Sequence, residues 1–352
     1  MMEPYLEALK KELMMYAKTK YVQTSEFDEI VLGEGTPSLM SKDQMFGLIK
    51  FCEENFNTVD DYFIKITGSS RSFDRDKLVA AADYGVYQVD MGAQTFDNKL
   101  RRMLNLPDSA EHVANEIKTA RKLGLCVCID IMYNIPGQTL ESWTNTVKKA
   151  IELDAEVDAY CLEVYPETTL YKQMQSGQAP PQADPELEKQ MYVAAYELFT
   201  EAGYKPIGHD RYSREEWHAK ENCLNGWPWA GILTTGAGCF MGYLQRFSYS
   251  NIEHAKDYIA TVNEGRFPIA KLSESTDKEM MRKVMTKLYL RLPVDNLEFQ
   301  KRFGKLPEDV YPEQLKRLKA KGLIEIDEKE IKLTQLGDLW KANIAWEFAE
   351  NK

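Results

Sequence analysis

Apolar and polar residues follow two different periods over roughly the first two hundred positions of the chain. Short, nearly continuous apolar runs predict buried β-strands, and the segments between them repeat apolar residues every three or four positions, as amphipathic helices do. The predicted strands cover residues 29–33, 62–68, 86–94, 125–133 and 158–166. Helices between such strands indicate parallel β–α units with both strand faces covered. The pattern therefore predicts an α/β fold, either a barrel or an open sheet.

Polar loops follow four of the predicted strands. They read GEGTPS, TGSSRS, GAQTFD and NIPGQT, and each carries glycine or proline. Because parallel strands end at the same edge of a sheet, these loops are expected to share one face, which is the functional face of α/β barrels and open sheets. An amphipathic helix near residues 3–17 precedes the first strand, and Gly85 is a natural helix stop.

The pattern changes twice in the second half of the chain. Residues 205–275 are irregular, with a long uncharged segment rich in glycine and aromatic residues. From residue 276 the periodicity predicts three helices, two short strands (LIEI and EIKLT) and a last helix, an order that resembles a winged-helix module. Charge in this part is nearly balanced, so packing against the rest of the protein is favoured over DNA binding.

Composition narrows the class of protein. The formal charge of −11 disfavours a nucleic-acid or acidic-membrane partner, because phosphate binding needs a basic surface. The amino-terminal pattern is that of an amphipathic helix, so no signal peptide is expected. Glycines, Asn225 and Pro228 argue against a membrane span in the uncharged stretch 222–245. A cytoplasmic protein is predicted.

The six cysteines have no disulfide or zinc spacing. They are Cys52, Cys126, Cys128, Cys161, Cys223 and Cys239. Cys126 and Cys128 alternate along an apolar strand, where burial is favoured over metal or haem ligation, and scattered cysteines fit a reducing compartment. No metal site is predicted from these residues.

Four segments and their order along the chain are informative: GEGTPSLMS, MGAQTFDNKLRRML, IDIMYNIPGQTLESW and LEVYPETTLY. They resemble the radical S-adenosylmethionine family of oxygen-independent coproporphyrinogen III oxidases, whose usual wording is GGGTPS, GVQSFD, DLIYGLPGQT and EPGT. GAGCFMGYLQRFSYSN and YIATVNEGRFPI continue the resemblance, which covers nearly the whole chain. The segment LTQLGDLWKANIA and the region of residue 209 look more like the anaerobic haem-degrading branch.

The resemblance implies a fold and a domain order. Residues 1–204 correspond to an incomplete (β/α)6 barrel of the S-adenosylmethionine-binding type, residues 205–275 to an irregular segment on the substrate side, and residues 276–352 to the winged-helix-like carboxyl-terminal domain.

The resemblance also implies cofactor contacts. Gly33, Glu34, Gly35 and Thr36 match the loop that binds the methionine part of S-adenosylmethionine, and Thr67, Gln94 and Asp130 match further cofactor positions at strand ends. Glycines permit close backbone approach, and exposed N–H and C=O groups can hold a carboxylate and an ammonium. Three positions depart from the family: Glu34 replaces a glycine, Thr67 a glutamate and Leu106 an arginine.

The largest departure from the family concerns the ligands of its iron–sulfur cluster. The family binds a [4Fe–4S] cluster through CxxxCxxC, just before a helix that reads like PYLEALKKEL, and the motif is absent from this sequence. Cluster ligands are therefore expected to be missing, through truncation or through true loss, and the catalytic residues are unknown. The first strand of the barrel is missing too, which predicts strand 29–33 as an unpaired edge that the amino-terminal helix, a second copy or a partner chain would cover.

Candidates for tetrapyrrole contact lie further on. His209 is a possible haem ligand with Arg211 and Arg214 available for propionates, although a surface turn with ordinary ion pairs explains them as well. Six aromatic residues form either an apolar slot for a flat macrocycle or ordinary core: Trp227, Trp229, Phe240, Tyr243, Phe247 and Tyr249.

Two functions remain open. The resemblance implies an oxidoreductase or methyltransferase that acts on a tetrapyrrole, coproporphyrinogen III or haem, through the 5′-deoxyadenosyl radical. The alternative is a non-catalytic haem- or porphyrin-binding protein derived from the same family, which the missing cysteines favour.

Overall fold

The computed structural model describes residues 2–214, 228–239 and 242–349. The chain divides into two compact units. One comprises Ser25–Pro206 and Asp210–Lys220, and the other comprises Met1–Thr24, Ile207–His209 and Glu221–Lys352. The amino-terminal helix thus groups with the carboxyl-terminal residues, whereas the domain boundaries after residues 204 and 275 stay predictions.

A seven-stranded sheet forms the first unit, in the order β1-β2-β3-β4-β5-β7-β6. The strands are β1 Phe27–Leu32, β2 Thr58–Gly68, β3 Gln88–Gln94, β4 Cys126–Tyr133, β5 Glu156–Cys161, β6 Lys205–Ile207 and β7 Arg211–Ser213. The first five strands are parallel, and β7 runs antiparallel to β5. The predicted α/β class, with parallel strands in one sheet, is confirmed. In the described part of the chain β1 pairs with β2 alone, as expected of an edge strand.

Two details of the strand prediction were wrong. The fifth strand ends at Cys161 rather than at residue 166, because Pro166 and the turn before Thr168 cannot continue a ladder. The short strands β6 and β7 were not predicted, since three-residue strands carry too little periodicity to recognise.

Seven helices with clear end signals connect the strands in the described residues. They are α3 Lys42–Asn55, α4 Arg75–Tyr84, α5 Asn98–Met103, α6 Ala110–Lys122, α7 Leu140–Glu152, α8 Thr169–Gln175 and α9 Pro185–Glu201. Ser41 and Gln44 form a capping box at the start of α3, and the side chain of Asp74 caps α4. Gly85 ends α4 with φ +91°, so the predicted stop is confirmed.

The two faces of the sheet differ. Toward the helices every side chain in the middle of the sheet is apolar and fully buried, among them Val89, Met91, Val127 and Ile129. Trp143 of α7 completes this core, and its Nε1 donates to the carbonyl of Met191 in α9 at 2.7 Å. The other face alternates with it and carries charged residues. The near-continuous apolar runs in the sequence therefore did not reveal that this face of the strands is polar.

The second unit contains α1 Met2–Ala17, α2 Lys20–Gln23 and a three-stranded antiparallel sheet. Its strands β8 Gly242–Leu244, β9 Phe247–Asn251 and β10 Ile269–Glu274 lie in the order β10-β9-β8, and α10 Ala255–Asn263 packs against α1. The side chain of Glu12 on α1 is fully buried. It accepts hydrogen bonds from Tyr258 Oη (2.5 Å), Asn251 Nδ2 (2.7 Å) and the Gly236 amide (2.9 Å).

The carboxyl-terminal module of this unit contains the predicted elements in the predicted order, together with one short helix and one two-residue strand that were not predicted. Its helices are α11 Asp277–Met285, α12 Asn296–Phe303, α13 Pro307–Val310, α14 Pro312–Ala320, α15 Gln335–Leu339 and α16 Lys341–Glu347. Strands β11 Val294–Asp295, β12 Ile324–Ile326 and β13 Glu330–Leu333 pair antiparallel in the order β11-β13-β12. The last predicted helix is broken in two at Trp340, whose φ is −114°.

No helix among residues 2–214, 228–239 and 242–349 combines the length and the apolar character that crossing a membrane requires.

We expect Glu12→Ala to lower the free energy of unfolding by about 3 kcal/mol, because it leaves three buried donors without an acceptor. Glu7→Ala on the exposed side of α1 is the matched control and should stay within about 0.5 kcal/mol of wild type. Urea unfolding measures both variants. Equal loss of stability in the two would show that the buried hydrogen bonds do not hold this unit together.

Candidate functional site

The predicted cofactor residues lie along the carboxyl edge of the parallel strands. They are Gly33, Glu34, Gly35 and Thr36 after β1, Thr67 near the end of β2, Gln94 at the end of β3 and Asp130 in β4. Neighbouring strands in a sheet are about 5 Å apart, so the residues follow one another across the edge. They form two groups, one over β1 and β2 and the other over β3 and β4.

The first group is the loop after β1. Glu34 and Gly35 both have positive φ, +55° and +61°, and a Cβ at Gly35 would meet no atom within 4 Å. The backbone conformation therefore favours glycine at position 35, and the space beside it is open. A Cβ on Gly33 would lie 4.0 Å from Thr67 Oγ1, which places this loop directly beside the end of β2.

A serine network that the sequence did not predict fixes this loop to the loop after β2. Ser38 is fully buried, its Oγ lies 2.5 Å from Ser72 Oγ, and it accepts from the Ser69 amide at 3.3 Å. Lys77 Nζ donates to the Ser38 carbonyl at 2.6 Å. A Cβ at Gly68 would lie 2.1 Å from Ser38 Oγ, so only glycine permits this approach.

The second group surrounds Gln94. This residue has φ +62°, and its side chain folds back across its own strand, so that a Cβ at Gly92 would lie 2.6 Å from Gln94 Nε2. Tyr160 Oη donates to Gln94 Oε1 at 3.4 Å. Asp130 is opposite Gly92 on one side and Asp158 on the other. Glycine, amide, phenol and carboxylate thus converge on the polar face of the sheet.

Two ion pairs cross the same face. Lys65 Nζ lies 3.1 Å from Asp90 Oδ2, and Arg211 of β7 holds both carboxylate oxygens of Asp158 at 2.8 Å. Although burial opposes ionisation of Asp158, the Arg211 guanidinium outweighs it and lowers the pKa of that carboxyl below its ordinary value. Burial opposes the charge of Arg211 as well, but carboxylate neighbours hold its pKa above the ordinary value.

Two carboxyl groups near these pairs lack such a cation. Burial, reinforced by the charges of Asp158 and Asp90, raises the pKa of Asp130 to about 7. Burial also raises the pKa of Glu156 to about 7, although Glu156 accepts from the Arg214 amide at 3.2 Å. The protonation state of both carboxyl groups therefore changes near neutral pH.

The polar face carried a signal that the sequence interpretation missed. Within the strands, polar residues recur at every second position, as in Lys65 and Thr67, Gln88 and Asp90, or Asp158 and Tyr160. That period of two places them on one face, opposite the apolar core. Of these residues only Thr67 was expected to take part in a site.

The predicted tetrapyrrole contacts do not share one environment. Arg211 is occupied by Asp158, whereas Arg214 pairs with Asp154 at 2.5 Å and lies 4.8 Å above the ring of Tyr204. His209 is exposed, its ring centroid is 4.3 Å from that of Tyr289, and its carbonyl accepts from Arg291 Nη1 at 2.9 Å. His209 belongs to the other compact unit.

The predicted aromatic slot is only partly described, since Trp227 and Phe240 lie outside the described residues. Trp229 contacts Phe303 (6.0 Å between centroids) and lies 3.9 Å below the guanidinium of Arg302, and Tyr249 packs near Tyr16. For Trp229 and Tyr249 these contacts are ordinary packing within the second unit.

The donor set at the edge fits S-adenosylmethionine but not a [4Fe–4S] cluster. The open space beside Gly35 after β1, together with Gln94 on β3 and Asp130 on β4 of the same sheet, offers hydrogen-bonding groups for an amino acid and a ribose. In the described part of the chain no three His, Cys, Asp or Glu side chains group so as to hold a metal ion. Burial raises the pKa of the Cys126 and Cys128 thiols, which disfavours the thiolates that iron requires.

Comparisons with known proteins agree with this architecture. Residues 3–150 match the model of the Radical SAM superfamily, and residues 275–340 match that of the HemN C-terminal domain. The heme chaperone HemW of Bacillus subtilis (strain 168) is 28% identical, over 96% of this chain and 89% of the relative. Anaerobilin synthase of Escherichia coli O157:H7 is 24% identical, over 97% of this chain and 76% of the relative.

The fold is also that of a solved structure. Coproporphyrinogen III oxidase (HemN) from Escherichia coli superimposes with a TM-score of 0.83 at 23% identity, covering 98% of this chain and 82% of that chain.

The raised pKa of Asp130 predicts a pH dependence of stability. A carboxyl whose pKa is raised in the folded state stabilises the fold fully at about pH 4 and loses that contribution as the pH rises through about 7. We expect the free energy of unfolding to fall less between pH 4 and 7.5 in Asp130→Asn than in wild type. Urea unfolding of wild type, Asp130→Asn and the exposed control Asp61→Asn measures the difference. The same slope in all three proteins would contradict the assignment.

Proposed function

We propose, from the premise that this chain belongs to the radical S-adenosylmethionine proteins of the oxygen-independent coproporphyrinogen III oxidase-like group, that it binds S-adenosylmethionine at the carboxyl edge of its sheet and binds a tetrapyrrole for carriage. The observation that carries the proposal is the grouping of Gln94, Tyr160 and Asp130 on the polar face of the sheet, at the same carboxyl edge as the open loop at Gly35.

Each part of the cofactor has a counterpart at this edge. The loop of residues 33–36 offers backbone N–H groups to the carboxylate of the methionine part, and Thr36 adds a hydroxyl. Asp130 and Gln94 accept from ribose hydroxyls or from the ammonium group. The sulfonium charge favours the ionised form of Asp130, so binding lowers the pKa of that carboxyl from about 7.

The proposal is limited to binding, because the residues of this chain supply binding groups for the cofactor. Reduced by an iron–sulfur cluster, S-adenosylmethionine supplies radical chemistry, and the protein orients the reactants. This sequence contains no CxxxCxxC, and the described cysteines do not converge. Carriage of a tetrapyrrole requires only the binding sites.

The tetrapyrrole part of the proposal rests on the relatives. A heme chaperone, an anaerobilin synthase and coproporphyrinogen III oxidases match this chain over most of its length. His209 supplies an exposed imidazole against Tyr289, and its backbone is held by Arg291. We assign His209 as an axial haem ligand within this proposal.

We expect Asp130→Asn to weaken binding of S-adenosylmethionine by about tenfold at pH 8, because the amide cannot offer a charge to the sulfonium or ammonium. In wild type the affinity should rise from pH 6 to 8 as Asp130 ionises. The ligand's own amino group titrates in this range, so the readout is the difference between wild type and Asp130→Asn at each pH.

Isothermal titration calorimetry of wild type, Asp130→Asn and Asp61→Asn measures these affinities. The exposed Asp61 lies on β2, and its variant should bind as wild type does. A difference between wild type and Asp130→Asn that does not change with pH would remove Asp130 from the cofactor site, and failure of wild type to bind would overturn the proposal.

Titration with haemin should produce a shifted Soret band in wild type, and His209→Ala should weaken haemin binding by about tenfold through loss of the imidazole ligand. His112→Ala on helix α6 is the control, since its side chain is also exposed. Equal haemin binding by the two variants would exclude His209 as the ligand.

A further inference from the structure

A second candidate binding site lies within the carboxyl-terminal module. A cavity of about 870 Å³ opens between helices α11, α14 and α16. This volume falls in the range of about 300–1,000 Å³ that is typical of small-molecule sites. The resemblance and the proposed cofactor edge assign no role to it.

The floor of the cavity is apolar and rigid. Leu318, Ile344 and Phe348 line it, and all three are buried members of the hydrophobic core of the module. The ring of Tyr311 stands edge-on to Phe348, with 5.2 Å between the centroids. Such a floor suits an apolar ring system and is held in place by core packing rather than by a loop.

The rim is cationic. Lys278 and Arg282 lie four residues apart on α11, and Arg317 and Lys321 are four residues apart at the end of α14, so each pair lies on one face of its helix. One carboxylate, Glu347, also lines the cavity, and Arg317 Nη2 binds it at 2.6 Å. The rim is thus net positive on a chain whose formal charge is −11, which favours anionic ligands at this place.

Two indoles complete the lining. Trp340 is 44% exposed and Trp346 is 76% exposed. Aromatic side chains exposed together beside a cavity add apolar surface of the kind that binds ligands, and an indole stacks well on a flat ring. Apolar floor, stacking walls and a cationic rim together describe a receptor for a planar aromatic molecule that carries carboxylates.

We propose that this cavity binds a tetrapyrrole through its ring and its propionate groups, as a site separate from the S-adenosylmethionine edge and independent of an axial ligand. The inference rests on the proposed function for the identity of the ligand. Lysine and arginine of the rim hold the propionates, and the tryptophans cover the ring. Duplex DNA fits less well, because four cations gather around one concave site and the charge of the module is otherwise nearly balanced.

Metal-free protoporphyrin IX is the probe, because it cannot use an axial histidine. It is titrated into the full chain, and quenching of tryptophan fluorescence and the porphyrin emission are followed at two salt concentrations. We expect the double variant Lys278→Glu/Lys321→Glu to weaken binding by at least about tenfold and to reduce its salt dependence. Trp346→Ala should weaken binding by about fivefold through lost stacking, without a change in salt dependence.

The charge-matched control is Lys316→Glu/Lys319→Glu, on the same helix α14 but outside the cavity lining. All four lysines are exposed, so the folds should survive, and thermal unfolding checks this. Weakening by the cavity variants but not by the control would support the site. Equal porphyrin binding by wild type and the cavity variants would overturn the cavity site and leave the proposed function standing.

Absence of protoporphyrin IX binding by wild type would also overturn the cavity site, whereas the haemin titration of wild type and His209→Ala decides the proposed function separately. A further outcome is that wild type binds a 20-base-pair DNA duplex tightly, that it does not bind porphyrin, and that only the cavity variants lose the DNA binding. This outcome would overturn the assignment of the ligand class.

Discussion

The asymmetry of the central sheet is the constraint on which the rest of this unit depends. Its helix side is filled by fully buried apolar side chains such as Met91, Val127 and Ile129, so the alternating positions carry the polar groups. Charges that are taken partly out of water must be paired, and the ion pairs Lys65–Asp90 and Arg211–Asp158 satisfy this requirement. The second pair also binds the short strand β7 to β5, next to the backbone pairing of the two strands.

Two carboxyl groups on this face are not part of these ion pairs, and this affects their pKa values. Asp130 and Glu156 remain without a dedicated cation, and burial raises the pKa of both to about 7. A structural carboxylate gains little from such a position, whereas a group that meets a cationic ligand gains its missing partner on binding. The Gln94 amide is folded over Gly92 and accepts from Tyr160, so its position on the same polar face is fixed.

Much of this arrangement followed from the sequence. Periodicity predicted the five parallel strands, and because parallel strands end together, it also placed the polar loops on one edge. The sequence did not reveal very short strands or contacts between residues that are far apart in the chain. Strands β6 and β7 are three residues each, and the buried Ser38 is explained by Ser69 and Ser72, which lie more than thirty residues away. The partner of Arg211 is Asp158 on strand β5, and only knowledge that β7 pairs with β5 could have identified it.

The ion pair between Lys65 and Asp90 explains why a neutral residue suits position 67. Thr67 lies opposite Asp90 in the register of β2 and β3, and Lys65 lies on the same face of β2. A glutamate at position 67, as in the usual family wording, would add a third negative charge near Asp90 and Asp130 and compete for the single lysine. Lys65 neutralises Asp90, and a threonine beside them adds no charge. With Lys65 paired to Asp90, Asp130 is left as the carboxyl with a raised pKa, so the charge balance of this edge differs from the one that the resemblance implies.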